Sequence, residues 1–469
     1  SGNQLVAVDE AWVADALWSL KEAGVDALAI SLLHAYINPD HELTIERIAR
    51  EIGFLSISRS SEVAPLIKLV PRTDTTTLDA YLNPLLDVYV QRVQSQFGGR
   101  SCDLKLMTSG GNLVSSDDFR GRDSVLSGPA GGVVGLEKIV RRSQTHDPSI
   151  PSLAIGLDMG GTSTDVSRYD GQVGRRYETQ VSGVRVMTPM MDIHTVAAGG
   201  GSICDYQGGR LLVGPDSAGA SPGPACYGRG GPLCITDVNL LLGRIVEQRF
   251  PFPLHSEAAL ERLRIVASRM SSDQRSAETA QADASSLMNS EMAALAEGVL
   301  DIAVTHMAEA VRDITSARGV DVRDLSLVGF GGAAAQHLCR VADALGIRRI
   351  IDHPRGSVLS AVGIGVASLG TIHVRGVYQP LHQVNPLEFQ ELCDDLRRRN
   401  QRHGATRGHF PQTGVNLTLL PFVECRAELK LSPSDHRSAH QHAFLGHLLE
   451  ESVGRDDGYR TVADSLFVD

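Results

Sequence analysis

Apolar positions in the first hundred residues follow helical spacing and strand spacing in turn. They recur at helical spacing over residues 8–24, and residues 25–33 form an apolar run typical of a buried strand. The pattern predicts further helices over residues 41–54 and 75–97, and it leaves an interruption near Pro84 open because proline restricts the residue before it. This alternation of helices and strands indicates an α/β fold.

A short apolar strand that runs into paired glycines recurs three times, at residues 103–112, 153–162 and 325–334. Two segments rich in Gly, Ala and Val, residues 124–136 and 357–369, both open with Ser-Val-Leu-Ser. This weak internal repeat predicts two similar lobes whose equivalent helices pack closely together. Chance similarity in a chain rich in Gly and Ala is the alternative.

Residues 269–292 are rich in Ser, Ala and Gln, which is typical of a surface excursion or a loose helix. An apolar helical stripe then ends at Gly319, the expected C-cap, and leads to a strand over residues 325–330. The composition changes near residue 370, where a tail rich in His and Arg begins. We therefore expect three domains, at residues 1–150, 151–370 and 371–469.

Composition excludes several classes of protein. The 469 residues carry a formal net charge of −11, which argues against nucleic acid or an anionic membrane as the main partner. No uninterrupted apolar window is long enough to span a membrane, and the N-terminus lacks the pattern of a signal peptide. The seven scattered cysteines favour free thiols in a cytoplasmic protein. In the tail, His436, His440 and His442 favour a solvated face over a metal site, because no acid or thiol supports them.

The segment GLDMGGTSTDVSRYDG at residues 156–171 holds the richest candidate chemistry. Its glycines allow main-chain amides to approach an anion, and its two threonines place hydroxyls two positions apart. Its acids Asp158 and Asp165 suit Mg²⁺ or the water shell of Mg²⁺. The sequence thus predicts a phosphate and Mg²⁺ clamp made of Asp158, Gly160, Gly161, Thr162, Thr164 and Asp165. A tight hairpin with satisfied turn amides is the alternative.

A second glycine-rich turn follows the predicted strand at residues 325–330. Gly331, Gly332 and Gln336 are expected to line a nucleotide. The spacing of Gly329, Gly331 and Ala334 also satisfies a dinucleotide-binding fingerprint, with Asp352 ending the following strand, so a nicotinamide enzyme competes. His337, one position further on, is more typical of a packed helix residue than of a ligand.

Two more glycine-rich segments are candidate site loops. The first, residues 195–206, carries Gly199, Gly200, Gly201 and Ser202, and the second, residues 214–231, is too rich in Gly and Pro for regular structure. Asp237 follows as a further candidate, with an N-cap of the next helix as the alternative.

These segments resemble the hydantoinase A / 5-oxoprolinase family over roughly residues 5 to 370. LDMGGTSTDVSRYDG, AAGGGS, PGPACYGRGGP and FGGAAAQHLC carry the resemblance, and they look closest to the 5-oxoprolinases. The resemblance implies the actin-like ATPase (ribonuclease H-like) fold, with two lobes and ATP between them. Residues 158–165 would be its second phosphate loop, residues 329–337 its adenosine segment, and the two Ser-Val-Leu-Ser segments its connecting helices.

The resemblance also implies an activity. Family members open a cyclic amide at the expense of ATP, through phosphorylation of the amide oxygen. ATP and Mg²⁺ are thus the expected cofactors, and Asp158 and Asp165 are candidate catalytic and metal-binding residues. A hydantoinase B-type partner subunit or domain and a small cyclic amide substrate are implied, and a homo-oligomer stays open. The family's first phosphate loop would precede residue 1, so the first lobe is expected to be truncated, with a C-terminal appendage after residue 370.

Two alternatives stay open besides the nicotinamide enzyme. Relatives that share these loops include subunits of ATP-dependent ketone carboxylases. The absence of a first phosphate loop from this sequence also leaves a non-catalytic nucleotide-binding domain open.

Overall fold

The structure is a computed structural model, and it describes residues 2–97, 103–181, 183–274, 286–317, 319–378, 383–405, 416–420, 427–430 and 464–468. The chain forms two compact units. The first unit comprises Ser1–Ser127, Arg176–Met190 and Ser368–Asp469, and the second comprises Gly128–Arg175 and Met191–Ala367. Each unit is built from discontinuous stretches, whereas the predicted domains are continuous, so the predicted domain boundaries stay a prediction.

The second unit is built on a five-stranded mixed sheet. In spatial order its strands are Ile193–Val196, Thr164–Asp170, Leu153–Met159, Ser326–Phe330 and Arg349–Ile351. The central strand Leu153–Met159 is antiparallel to its hairpin partner and parallel to Ser326–Phe330. Two of the three predicted strand-to-glycine elements are therefore neighbours in one sheet, and their glycine turns follow the same end of it.

Both faces of this sheet are covered, which explains why its strands are apolar runs and not alternating sequences. Ile155 and Leu157 belong to one buried core together with Val299 of the helix Ser286–Ser316. Ala154 faces the other way, into a core with Leu136 of the helix Ser127–His146. Successive strand residues thus serve opposite cores, as the two-residue period requires.

The two Ser-Val-Leu-Ser segments lead into helices that pack against each other, as predicted. The first helix is Ser127–His146 and the second is Leu359–Val366. A Cβ on Gly131 would lie 2.6 Å from the carbonyl oxygen of Ser360, and a Cβ on Gly363 would overlap the main chain of Gly131. Only glycine permits this close backbone approach, which accounts for the small residues that the two segments share.

The remaining elements of the second unit surround the sheet. A hairpin pairs Ser202–Gln207 with Arg210–Ser217, and the helices are Ile235–Leu241, Ser256–Gln274 and Leu338–Leu345. Short 3₁₀ turns lie at Ala225–Tyr227, Glu247–Arg249, Val322–Asp324, Ala334–Gln336 and Gly356–Val358. The predicted excursion at residues 269–292 begins and ends in helix, and residues 275–285 lie outside the described residues.

The first unit confirms the predicted α/β alternation. Its main helices are Glu10–Glu22, Asp40–Ile52 and Leu69–Gln96, with a short turn at Ser60–Val63. Its strands are the parallel pair Ala27–Ile30 and Ser56–Arg59, the hairpin Lys105–Met107 and Leu113–Ser115, and the pair Thr179–Val181 and Val184–Val186. A short 3₁₀ turn spans Gly121–Asp123. The first helix begins where Asp9 caps it, since the Asp9 carboxylate accepts from the amide of Trp12 at 3.0 Å.

The interruption that was left open near Pro84 does not occur, because Leu69–Gln96 is one continuous helix. Asn83, the residue before the proline, is held from two sides. Its Oδ1 accepts from the amide of Gly121 at 2.7 Å, and its Nδ2 donates to Asp79 Oδ2 at 3.0 Å. Tertiary contacts hold Asn83 in the helical conformation that a following proline disfavours.

The C-terminal region of the first unit contains the helix Pro386–Ala405 and a four-stranded antiparallel sheet. The spatial order of that sheet is His373–Val377, Asp464–Val468, Asn416–Leu420 and Ala427–Lys430. His436, His440 and His442 lie outside the described residues. Within the described ranges, no helix combines the length and the apolar character that a membrane crossing needs.

Candidate functional site

The hairpin of the second unit brings the two predicted acids together. Asp158 near the end of one strand and Asp165 near the start of the next are direct cross-strand partners. Side chains of such partners lie on the same face of a sheet, about 5 Å apart at Cβ. The turn between them is closed by the amide of Gly160, which donates to the carbonyl of Ser163 at 3.0 Å.

Both carboxyl groups are held in surroundings that disfavour their charge. Burial raises the pKa of Asp158 to about 6, and the neighbouring Asp165 adds to the rise. The hydroxyl of Ser360, which donates to Oδ2 of Asp158 at 3.2 Å, acts in the opposite direction and lowers this pKa. Burial also raises the pKa of Asp165, although the hydroxyl of Thr195 donates to its Oδ1 at 2.6 Å. Two like charges placed opposite each other destabilise a hairpin, and a bound cation would relieve this.

The predicted loop Gly199–Gly201 packs directly on the hairpin turn. The amide of Gly200 donates to the carbonyl of Gly160 at 3.0 Å, and the amide of Gly201 donates to that of Gly161 at 2.6 Å. A Cβ on Gly199 would lie 2.5 Å from the carbonyl carbon of Thr162. The loop thus holds the turn in place through main-chain contacts that only glycine allows at these positions.

The turn after Ser326–Phe330 lies against the same acid. Gly331 has a φ of +86°, and a Cβ there would lie 2.5 Å from Asp158 Oδ1. The amide of Ala333 donates to the carbonyl of Met159 at 3.0 Å, which ties this turn to the hairpin strand. Gly332 has open space at its Cβ position, and Gln336 lies half-buried in the 3₁₀ turn that follows.

The two threonines of the hairpin are placed differently from each other. Thr162 is exposed in the turn, whereas Thr164 is fully buried in the strand and its hydroxyl donates to the carbonyl of Ala198. Thr164 therefore ties the hairpin to Ala198, in the segment that follows the strand Ile193–Val196. Its role towards phosphate stays a prediction.

Asp237 and Ser202 stabilise loops. The carboxylate of Asp237 is fully buried and accepts from the amides of Ala225, Cys226 and Cys234 at 2.7 to 3.0 Å. Asp237 lies in the first turn of the helix and reaches back to its N-cap Cys234, so it is not the N-cap itself. Ser202 Oγ accepts from the amide of Gly199 at 2.8 Å and shapes that loop.

His337 is a packed residue, as its position predicts. It is fully buried, and its Nε2 lies 3.1 Å from Asn239 Nδ2. Burial, with Arg244 and Arg340 nearby, lowers the pKa of His337 to about 4, so the ring is neutral at physiological pH.

The dinucleotide fingerprint fits this turn less well. The glycines follow a strand of a parallel pair, but the helix begins only at Leu338, and Ala334 lies in the 3₁₀ turn before it. The glycines therefore do not lead directly into the helix N-terminus on which a pyrophosphate would rest.

The donor set at the hairpin fits a phosphate and a magnesium ion. Within the described residues, the amides of Gly161, Thr162 and Gly332 donate to no protein acceptor. The same described part of the chain holds no cluster of three or more His, Cys, Asp or Glu side chains that could cage a metal. Mg²⁺ is commonly bound by one or two carboxylates, water and substrate phosphates, which is what Asp158 and Asp165 could supply.

Two contributors escaped the sequence analysis. Ser360, which donates to Asp158, is the last residue of the second Ser-Val-Leu-Ser motif, and Thr195, which donates to Asp165, opens the glycine-loop segment. Both lie in segments that the sequence singled out. Their contacts depend on the order of strands in the sheet, which the sequence does not state.

Comparison with known proteins assigns these segments to one family. A family model described as Hydantoinase/oxoprolinase matches residues 72–373, and one for the N-terminal region of the same family matches residues 1–53. The 5-oxoprolinase of Dictyostelium discoideum is 41% identical over 88% of this chain, and that of Saccharomyces cerevisiae is 43% identical over 77%. The chain spans about a third of the length of these curated relatives, 33% and 28%.

Two solved structures share the fold. The ATP-dependent caprolactamase from Pseudomonas jessenii aligns with a TM-score of 0.78 at 26% identity, covering 100% of this chain and 67% of that one. The nucleotide-free structure of acetone carboxylase aligns with a TM-score of 0.73 at 18% identity, covering 99% and 67%, and supports the fold alone. The predicted actin-like ATPase type of fold is thus confirmed, and the chain belongs to the hydantoinase/oxoprolinase family.

Proposed function

We propose that this chain contributes to an ATP-dependent enzyme that opens a cyclic amide, and that the hairpin of the second unit binds ATP with Mg²⁺. The observation that carries the proposal is the cross-strand pair Asp158 and Asp165. Burial raises the pKa of both carboxyls, and unpaired main-chain amides lie in the turn between them. An arrangement that destabilises the free protein is typical of a functional site.

The predicted site residues other than Thr164, whose hydroxyl donates to Ala198, have roles towards the nucleotide or the turn in this proposal. Asp158 and Asp165 would hold Mg²⁺, directly or through water, and Mg²⁺ would neutralise charge on the phosphates. The amides of Gly161 and Thr162 would donate to phosphate oxygens, and Gly331, Gly332 and Gln336 would line the adenosine side. Gly160 and the loop Gly199–Gly201 hold the turn through main-chain hydrogen bonds.

The chemistry follows from the low reactivity of an amide. The amide oxygen attacks the γ-phosphorus of ATP, and ADP leaves. Water then adds to the activated carbon, the C–N bond breaks with a proton going to nitrogen, and a second water releases phosphate from the resulting acyl phosphate. The 5-oxoprolinases among the relatives make 5-oxoproline the first substrate to test, and hydantoins the second.

Partners and location complete the proposal. One relative, 29% identical over 85% of this chain, is named caprolactamase subunit alpha, which supports a partner subunit or domain of the hydantoinase B type here. Among the described residues, Cys204, Cys226, Cys234 and Cys339 form no disulfide, which supports a reducing, cytoplasmic location. A subunit of a ketone carboxylase, which the sequence resemblance left open, stays the alternative; the acetone carboxylase structure shares the fold alone.

The test is release of ADP by the purified chain supplied with Mg-ATP and 5-oxoproline, hydantoin, or acetone with bicarbonate. The diagnostic variant is Gly161→Ala, because no atom lies within 4 Å of its Cβ position and the fold should be unaffected. Gly365→Ala is the matched control, with equally open space at an exposed position near the end of the helix Leu359–Val366.

We expect 5-oxoproline to raise ADP release, Gly161→Ala to lose nucleotide binding at an unchanged melting temperature, and Gly365→Ala to behave as wild type. Stimulation by acetone and bicarbonate alone would favour the carboxylase. Absence of Mg-ATP binding to the wild-type chain would contradict the proposal.

A further inference from the structure

The first unit contains a cavity that the proposed function leaves unused. Its volume is about 360 Å³, and every residue that lines it belongs to the first unit. This volume lies at the lower end of the range for small-molecule sites. The remaining one of the three strand-to-glycine elements, residues 103–112, contributes Thr108, Gly110 and Asn112 to the wall. In the second unit the two equivalent turns lie beside Asp158, so the repeated element lines a candidate site in each unit.

The cavity wall is built by hydrogen bonds between distant segments. Ser109 is fully buried, and both its amide and its hydroxyl donate to the carbonyl of Asp123, at 2.7 and 2.8 Å. A Cβ on Gly110 would lie 2.8 Å from the side chain of Ile372 and 3.5 Å from the carbonyl of Pro189. Three stretches of chain thus meet at the glycine turn and fix the shape of the cavity.

Some charged groups in the wall are already committed. The guanidinium of Arg122 donates to the carbonyls of Glu62 and Val63, and the Glu62 carboxylate accepts from Arg59 at 2.9 Å. These groups hold the wall and have little capacity left for a ligand.

Other polar groups that line the cavity remain able to form hydrogen bonds or ion pairs with a ligand. Within the described part of the chain, the side chains of Arg375, Asp118 and Thr188 make no hydrogen bond or ion pair, although Thr188 is only 3% exposed. The side chain of Asp123 is 21% exposed, and its carboxylate has an ion-pair partner, Arg122, at the long distance of 3.7 Å. Burial raises the pKa of Asp123, so a proton or a hydrogen-bond donor at this carboxyl is favoured. Arg375, Asp118 and Thr188 therefore keep donors and acceptors that can pair with a ligand in the cavity.

We propose that this cavity binds a small cyclic amide that carries a carboxylate, with Arg375 pairing with the carboxylate and Asp123 and Thr188 pairing with the amide. A guanidinium suits a carboxylate because it offers several donors in a fixed plane. An amide presents one N–H donor and one carbonyl acceptor, which match a carboxyl group and a hydroxyl group. The identity of the ligand rests on the proposed function, and 5-oxoproline is the simplest molecule with both groups.

The test separates the two halves of the ligand. Binding of L-5-oxoproline, of 2-pyrrolidinone, which lacks the carboxylate, and of cyclopentanecarboxylate, which lacks the amide, is measured by saturation-transfer NMR titration. The variants are Arg375→Gln and Thr188→Val, with Arg92→Gln as an exposed control on the helix Leu69–Gln96 of the same unit. Melting temperatures and Mg-ATP binding are recorded for every variant, so that a folding defect is recognised.

We expect wild type to bind 5-oxoproline about tenfold or more tightly than either analogue, the effect of one charge-assisted hydrogen bond. Arg375→Gln should abolish the preference for 5-oxoproline over 2-pyrrolidinone. Thr188→Val should weaken both amides and leave cyclopentanecarboxylate unchanged, and Arg92→Gln should match wild type.

Two results would overturn the inference: no binding of 5-oxoproline to wild type, or binding that Arg375→Gln and Thr188→Val leave unchanged. Either result combined with intact Mg-ATP binding would leave the proposed nucleotide site standing. Loss of Mg-ATP binding alone, with 5-oxoproline binding as described, would contradict the nucleotide site and leave this cavity assigned.

Discussion

The negative charge on Asp158 should destabilise the ligand-free protein, and Asp158→Asn should therefore raise its free energy of unfolding. The pKa of this carboxyl rises from its ordinary value of 3.8 to about 6 in the folded chain. A folded-state pKa above the unfolded value means that stability is lost as pH rises from 3.8 towards 6. The loss is complete above pH 6 and absent below 3.8.

The size of the effect follows from that difference. At about 1.4 kcal/mol per pKa unit, the charged side chain costs about 3 kcal/mol at pH 8 and about 1.5 kcal/mol at pH 5. Asparagine has nearly the same shape and no charge, and its carbonyl can still accept from Ser360. Asp158→Asn should therefore stabilise the second unit by up to about 3 kcal/mol at pH 8 and by about half as much at pH 5.

The assay is urea unfolding at both pH values, followed by far-ultraviolet circular dichroism. Tryptophan fluorescence is unsuitable, because Trp12 and Trp18 both belong to the first unit. Asp343→Asn, at an exposed position of the same unit, is the control and should change stability little at either pH. The reasoning is refuted if Asp158→Asn destabilises the protein at pH 8, or if its effect is the same at pH 5 and pH 8.

Three further changes follow from the same geometry. Gly331→Ala should destabilise the protein by about 2–4 kcal/mol in urea unfolding, because Gly331 has a left-handed backbone and a Cβ there would meet the hairpin. Gly332→Ala, which has open space at its Cβ position, should change stability by less than about 0.5 kcal/mol. Equal effects of the two substitutions would contradict this. Asp237→Ala leaves three buried amides without an acceptor and should cost at least about 3 kcal/mol, visible as a large drop in melting temperature. Thr195→Val removes the donor to Asp165, so the pKa of that carboxyl should rise further and Mg-ATP affinity should fall, more at pH 6 than at pH 8, by calorimetry; a loss of affinity that is independent of pH would argue against a role through Asp165.

The sequence predicted the fold class for identifiable reasons, whereas the members of the candidate site stay a prediction. The strands at residues 153–159 and 326–330 are apolar runs that end in glycine turns, and such runs are typical of a sheet covered on both faces. The helices at the N-terminus carry regular apolar spacing and a clear cap at Asp9. Local pattern was enough for these elements.

The sequence could not separate residues that face a ligand from residues that support the loops. Thr162 and Thr164 look equivalent in sequence, but the strand alternation buries Thr164 against Ala198 and leaves Thr162 exposed. Asp237 looked like a site residue because it is an acid near glycine loops, yet its partners are main-chain amides. Pro84 left an interruption open in a helix that the contact between Asn83 and Gly121 keeps continuous. In each case a contact distant in sequence determines the outcome.

The measurement that tests the central claim most directly is calorimetric titration of the chain with ATP, with and without Mg²⁺, for wild type and Asp165→Asn. The account predicts that wild type binds ATP, that removing Mg²⁺ weakens binding about tenfold or more, and that Asp165→Asn loses most of this dependence on Mg²⁺. If wild type binds no ATP, or if both proteins depend on Mg²⁺ equally, the hairpin of Asp158 and Asp165 is not the nucleotide site.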